Sequence, residues 1–368
     1  MKRSTLALVG LLLAGCGGPN RGEGYPPAFA EAERAEAAGR YAEAADRYGQ
    51  AASMAGRDRD RDHARYLAAM ARIRSGDLRR GIADLEALGD ASPPGSIAAS
   101  ASYQAALSRI QAGDEARGYQ RMEQVVLKFP SSGAAHMALR RWLANKDQKE
   151  GLAASLAWLR TASAGPLGSS ALAERMAYEV AERQRALGDL PAARDAYLAV
   201  ASQWPYPFGA LFDDALVHAS ELDERLGRYP EAIAHRERLL REHEETTMVG
   251  TYQRPQMAPS LFHIAELYDE KLHDRGRARE TYRRMHTEFP TSTLRDDALW
   301  REAQLWSADG NGGKTCDRLS ELVREFPSSR YAPCAPRLCP SLSAPPKGAK
   351  ASREPTCHDY LLSPVRGG

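Results

Sequence analysis

The chain repeats one short phrase: "KFPSS" at 128–132, "EFPTS" at 288–292 and "EFPSS" at 325–329. Each copy follows a stretch that reads as an amphipathic helix. Proline lacks an N–H and restrains the residue before it, so a helix reaching the Phe must stop there. The hydroxyl residue that follows is suited to cap a new helix by accepting a bond from a free N–H. The phrase therefore separates one helical unit from the next, and its recurrence calls for an array. Between the phrases, short Gly-containing turns break the helical pattern, with "AGRY" at 38, "SGDL" at 75, "AGDE" at 112, "LGDL" at 187 and "LGRY" at 226. Helix, tight turn, helix at a near-constant period predicts an all-α solenoid of seven or eight hairpins.

Aligned on these turns, one column in the second helices reads Ala44, Gly81, Gly118, Leu152, Ala193, Ala232, Ala278 and Thr315. A column in the first helices reads Ala32, Ala69, Ala106, Arg140, Ala181, Ser220, Glu266 and Ala303. Mostly small side chains on facing helices allow the close backbone approach of a tight hairpin. One turn further on stand Tyr48, Leu85, Met122, Leu156, Tyr197, Arg236, Tyr282 and Leu319, all large and apolar but for Arg236. They share a helix face with the small column and are expected to fill the groove between hairpins. Arg140, Leu152 and Glu266 break the small columns.

This pattern resembles the tetratricopeptide repeat (TPR), whose period is about 34 residues. The resemblance spans 28–327, with Pro130, Pro205, Pro290 and Pro327 in the terminal proline place. It implies a non-enzymatic binding scaffold that presents a long surface to protein partners, with no cofactor and no small-molecule substrate.

The flanks have other roles. Lys2, Arg3 and the apolar run Leu6–Leu13 form an export signal too short to span a bilayer. It ends in Leu13-Ala14-Gly15-Cys16, which resembles a bacterial lipobox with Cys16 as the lipid-bearing residue. The expected segments are a signal peptide over 1–15, a flexible tether over 16–27, the solenoid over 28–327 and a capping tail over 328–368. Within the lipoprotein resemblance, Gly17 in place of an Asp implies the periplasmic face of the outer membrane. Loss of Lys2 and Arg3 takes the formal charge from +2 to about zero, so nothing steers the mature chain toward nucleic acid.

Four cysteines remain in an exported chain, and two disulfides are expected. Cys316 lies about ten helical residues before the last stop, about 15 Å away. An extended return covers that in about five residues, reaching Cys334 before Cys339. The expected pairs are Cys316–Cys334 and Cys339–Cys357, stapling the tail over the last hairpin. Pro333, Pro336 and Pro340 argue against regular helix there. The alternative, a four-cysteine zinc site, lacks close cysteine pairs, and no metal is expected.

Enzymatic motifs are missing. "GNGGKT" at 310–315 has Ala308 where a phosphate loop needs Gly, and it reads as an inter-helix turn. No G-x-S-x-G or H-E-x-x-H occurs, and His263 and His273 are expected to pack at the surface or in a groove. The sign-alternating "GRDRDRDHAR" at 56–65 is read as a soluble turn. Two features are candidates for partner binding. Arg275, Arg279 and Arg283 recur every fourth residue and suit an acidic partner or lipid headgroups, against a simple solvated face. Tyr206 and Phe208 sit in the proline-broken "WPYPFG" and are suited to anchor a partner segment or to cover the next hairpin.

The lipobox, stretched repeats and punctuation resemble the TPR lipoprotein of the β-barrel assembly machine. They are also similar to the periplasmic TPR coordinator of Tol–Pal and wall synthesis, and pilotin-like TPR lipoproteins form a third class. The resemblance implies a lipid-anchored periplasmic scaffold in outer-membrane protein assembly or other envelope machinery. The competing class is a non-catalytic relative or fragment of a superhelical lytic transglycosylase. About 40 residues after the last repeat are too few for a lysozyme-like domain.

Overall fold

The computed structural model describes residues 21–243, 253–342 and 357–362. The signal peptide and lipobox, with Leu13, Ala14, Gly15 and Cys16, lie outside these residues. All regular structure among the described residues is helical. Two compact units result, Met1–Ser155 with Ala164–Leu172, and Leu156–Ser163 with Ala173–Gly368.

The first unit stacks the hairpins α1 (Tyr25–Ala37) and α2 (Tyr41–Met54), α3 (Asp58–Arg74) and α4 (Leu78–Gly89), and α5 (Ala98–Gln111) and α6 (Glu115–Lys128). It continues with α7 (Gly133–Glu150) and the first turn of α8 (Leu152–Ser163). After the rest of α8, the second unit stacks α9 (Ala173–Ala186) and α10 (Leu190–Gln203), α11 (Phe212–Arg225) and α12 (Tyr229–Arg241), α13 (Met257–Glu266) and α14 (Arg275–Glu288), and α15 (Arg295–Ala308) and α16 (Gly312–Glu325). Both are TPR-like stacks of antiparallel helical hairpins.

The small columns do what their size predicts. Ala32, Ala69, Ala106, Ala181, Ser220 and Ala303 are fully buried, as are Ala44, Ala193, Ala232 and Ala278. The approach is closest where the second helix carries glycine. A Cβ on Gly81 would lie 2.5 Å from Ile73 and 2.9 Å from the Ala69 carbonyl oxygen. One on Gly118 would lie 2.5 Å from Ile110 and 2.9 Å from the Ala106 carbonyl oxygen. The large column is buried throughout, Arg236 included. Arg140 is a true exception, exposed on α7, whose core face is instead Ala135, Ala138, Leu139 and Trp142.

The repeated phrase forms the same turn three times. Phe129, Phe289 and Phe326 each close a helix as its C-cap. The third residue after each donates its N–H to the Phe carbonyl, Ser132 at 2.9 Å, Ser292 at 3.0 Å and Ser329 at 3.0 Å. Proline in the second place of such a β-turn has its φ already set. Only Ser132 then caps a helix, accepting from the Ala135 N–H at 3.1 Å. Ser292 and Ser329 accept from the N–H two residues on, at 3.2 Å each, so their hydroxyls brace the turn ahead of the next helix.

Three boundaries differ from expectation. α1 begins at Tyr25, with Pro26 in its first turn, so the expected tether is helical from 25. The 56–65 segment is the start of α3. Asp58 and Asp60 lie in its first turn, where the helix dipole favours acids, and Asp60 is buried against Arg57 at 2.7 Å. The tail is also helical in part, with a 3₁₀ turn over Ala332–Cys334 and one α-turn, α17 (Ala335–Leu338). Pro333 and Pro336 are accepted there because each stands among the first residues of its turn.

That helical path corrects the disulfides. The pairs are Cys316–Cys339 and Cys334–Cys357, not Cys316–Cys334 and Cys339–Cys357. A helical return advances about 1.5–2 Å per residue, roughly half the extended value. Cys339 rather than Cys334 therefore arrives opposite Cys316. Each bond spans 23 residues of sequence, worth about 3 kcal/mol in the chain-entropy account. Together they hold Tyr331, Ala332, Cys334, Ala335 and Leu361 against Leu299, Trp300, Leu319 and Leu322, covering the apolar end of the last hairpin.

Two substitutions test this packing. Gly118→Val should lower stability by about 2 kcal/mol through overpacking against Ile110 and the Ala106 carbonyl, read as a lowered urea midpoint and faster hydrogen exchange in α5 and α6. His273 stands at φ 52° in the turn before α14, where other hairpins place glycine, as at Gly76 and Gly113. His273→Gly should therefore stabilise the protein by about 0.5–1 kcal/mol, with a higher midpoint.

Candidate functional site

The arginine stripe is paired along its length with carboxylates of the neighbouring hairpin. Arg275 and Arg279 converge from α14 on Asp309 at the end of α15, Arg275 at 2.8 Å. Together they hold the Asp309 carboxyl below the usual range. Arg279 also lies 4.0 Å over the Trp306 ring. Arg283 reaches Glu302 at 2.7 Å and Glu321 at 2.9 Å. The stripe is thus spent on the neighbouring hairpin and is neither a free cationic face nor a simple solvated one.

The same network explains the one potential metal-ligand cluster among the described residues, His286, Glu321 and Glu325. His286 Nε2 meets Glu325 at 3.0 Å, and Arg295 meets the same carboxylate at 3.0 Å. Glu321 is held by Arg283 and by Arg318 at 2.8 Å. Three guanidinium groups already supply the positive charge that an ion would bring. With all four tail cysteines in disulfides, no thiolate is left for the zinc alternative.

Tyr206 and Phe208 part company. Tyr206 lies under the Arg254 guanidinium, 4.0 Å from its ring centroid. Arg254 is itself buried, held by Asp213 at 2.7 Å and by the Leu239 carbonyl at 2.8 Å. Tyr206 therefore seals the second unit. Phe208, two residues on, is 89% exposed. Its turn is closed by the Phe208 and Gly209 N–H groups on the Pro205 carbonyl, both at 3.0 Å. A Cβ on Gly209 would sit 1.9 Å from the Trp204 carbonyl oxygen, so the loop tolerates only glycine there.

A feature outside the sequence-derived candidates runs along the first helices of the second unit. α9 supplies Tyr178, Glu182 and Arg185, α11 supplies His218, Glu221 and Glu224, and α13 supplies His263 and Glu266. Glu182 accepts from Arg185 at 2.7 Å and from the Tyr197 hydroxyl. His218 contacts Arg185 at 3.4 Å and Glu221 at 3.0 Å. His263 bridges two carboxylates, Glu224 through Nε2 and Glu266 through Nδ1, each at 2.9 Å. Glu224 and Glu266 push its pKa up to about 9, so both ring nitrogens donate at neutral pH. Beneath them lies Arg236, 6% exposed in the apolar column, donating to the Ser220 hydroxyl at 2.9 Å with Glu224 at 3.7 Å. The two sequence irregularities, Arg236 and Glu266, thus belong to one polar network on α11, α12 and α13. Glu221, with a side chain 48% exposed, leaves this face open to an outside group.

A cleft of about 500 Å³ is lined in the first unit by Arg21, Tyr25, Phe29, Glu33, Asp60 and His63. Its buried acid is already paired. Burial works against the Asp60 charge, but Arg57 and Arg21 outweigh it and hold its pKa below normal.

Residues 100–132, essentially the α5–α6 hairpin, match the family described as tetratricopeptide repeat. No curated protein matches the chain. Among solved structures, the chain is similar to PilF of Pseudomonas aeruginosa at 16% identity and TM-score 0.36, covering 63% of this chain and 93% of that one. It is also similar to PilW, described as a widely conserved type IV pilus biogenesis factor, at 14% identity and TM-score 0.36, over 64% and 96%. A tetratricopeptide repeat protein of Parabacteroides merdae is similar at 12% identity and TM-score 0.33, over 76% and 99%. No helix among the described residues is long and apolar enough to cross a membrane.

The His263 bridge predicts a pH effect. Its folded pKa, about 9, stands above the ordinary 6.5. The stabilisation is complete below 6.5 and is lost as pH rises through 9. The urea midpoint of the second unit should fall across that window, and His263→Gln should flatten the fall.

Proposed function

We propose that the protein is a lipid-anchored periplasmic scaffold that binds protein partners of the cell envelope through the first-helix face of its second unit. The reading places it in outer-membrane protein assembly or a related envelope machine. The observation that carries the binding half is the Glu182–Glu221–Glu224–Glu266 row. Its arginine and histidine partners hold these carboxylates in fixed positions, and part of the row stays open to solvent. Pre-ordered polar groups on rigid helices lose little entropy on binding. Phe208, held out on a closed turn, is a separate exposed aromatic suited to contact a protein partner. The tetratricopeptide match at 100–132 supports a scaffold rather than a catalyst. The anchoring half rests on Leu13-Ala14-Gly15-Cys16.

Cys16→Ser tests the anchor. The variant should move from the membrane fraction to the soluble periplasm, and retention on the membrane would contradict lipid tethering. Purified protein should leave cell-wall peptidoglycan intact. Turnover abolished by a single carboxylate substitution would replace the scaffold reading with an enzymatic one.

A further inference from the structure

By register, Trp300 and Gln304 on α15 continue the first-helix row that passes through Tyr178 and Glu182, Val217 and Glu221, and His263 and Leu267. At α15 the chain's own C-terminal segment occupies this row. The Leu361 carbonyl accepts from Trp300 Nε1 and from Gln304 Nε2, both at 3.1 Å. The Leu361 side chain is buried in the cluster around Leu299, Trp300 and Tyr331. The segment is a single 3₁₀ turn, closed by the Leu361 N–H on the His358 carbonyl at 2.9 Å. Asp359 adds an exposed pair with Arg337 at 2.7 Å. Against these modest contacts stands one covalent bond, Cys334–Cys357, immediately before the segment. One buried aliphatic side chain and two hydrogen bonds make a weak peptide site, and a tether gives such a site a high effective concentration of its occupant.

We propose that His358–Leu362 is a disulfide-tethered strap over the Trp300–Gln304 position, and that opening Cys334–Cys357 with a dithiol reductant yields this position to a partner segment of like chemistry. That segment presents a branched aliphatic side chain beside a main-chain carbonyl. Cys357 is the partly buried residue of the pair and Cys334 the fully buried one. A thiolate of the reductant attacks Cys357 Sγ, forming a mixed disulfide and releasing Cys334 as a thiolate that takes up a proton. The reductant's second thiolate then displaces Cys357, which is protonated in turn. Two electrons and two protons pass to the protein, and the reductant leaves as a disulfide. The partner half of this inference rests on the scaffold reading, whereas the strap half does not.

The full-length protein tests both halves through the indole N–H of Trp300, assigned by its loss in Trp300→Phe. In the oxidised protein this proton should exchange slowly. In the Cys334→Ser/Cys357→Ser double variant it should exchange at least about tenfold faster, with overall helicity unchanged. Leu361→Asp, which keeps the disulfide, should do the same. A capped peptide of residues 358–362 added to Leu361→Asp should restore the protection. Unchanged protection in both variants would show that the segment does not cover Trp300. Accelerated exchange that millimolar peptide leaves unrestored would show that the position is no docking site. Either result would overturn the proposal, while a failure of the scaffold reading would appear separately, as envelope partners missing in cells.

Discussion

The architecture depends on how closely two helices of a hairpin can approach. At Gly81 and Gly118 even one methyl group would collide with the facing carbonyl. Elsewhere alanine faces alanine, as at Ala181 and Ala193. That contact sets the hairpin thickness and the width of the groove left between hairpins, which the large column must then fill. Tyr48, Leu85, Met122, Tyr197, Tyr282 and Leu319 fill it with almost no exposure. Because each hairpin buries its apolar surface only against its neighbours, the array needs something to cover its last face. The two disulfides supply it by pinning a short helical tail against Trp300 and Leu319.

Where the second unit departs from this apolar plan, it does so with paired charge. An arginine in the large column would be costly if left unpartnered. Arg236 instead meets Ser220 in the small column of the facing helix, with Glu224 close by, and Glu224 is shared with His263. The replacement is therefore coordinated across three helices. It brings polar groups to the first-helix face at its middle, held in a fixed pattern on rigid helices.

Much of this was legible in the sequence because size and proline geometry are local properties. The Phe-Pro turn, the glycine turns and both small columns could be read from residue identity. Arg140 breaks its column because α7 carries a different core face, Ala135, Ala138 and Leu139. The cysteine pairing was not legible, because it depends on whether the return from α16 is extended or helical. Pro333 and Pro336 suggested the former while occupying the first positions of helical turns. The arginine stripe had the right periodicity, but its orientation was set by Asp309, Glu302 and Glu321 on the next hairpin. The polar row around His263 escaped because its members are distant in sequence, and only two irregular positions, Arg236 and Glu266, hinted at it.

The proposed docking of partners on the first-helix face of the second unit can be read out by crosslinking in cells. The most direct measurement places a photo-crosslinking residue at Glu221 in cells and, as a control, at Asp195 on the second helix α10, where the side chain is 68% exposed. Adducts from position 221 containing envelope assembly proteins, with none from position 195, are the predicted result. Equal adducts from both positions, or adducts from 195 alone, would rule out docking on that face.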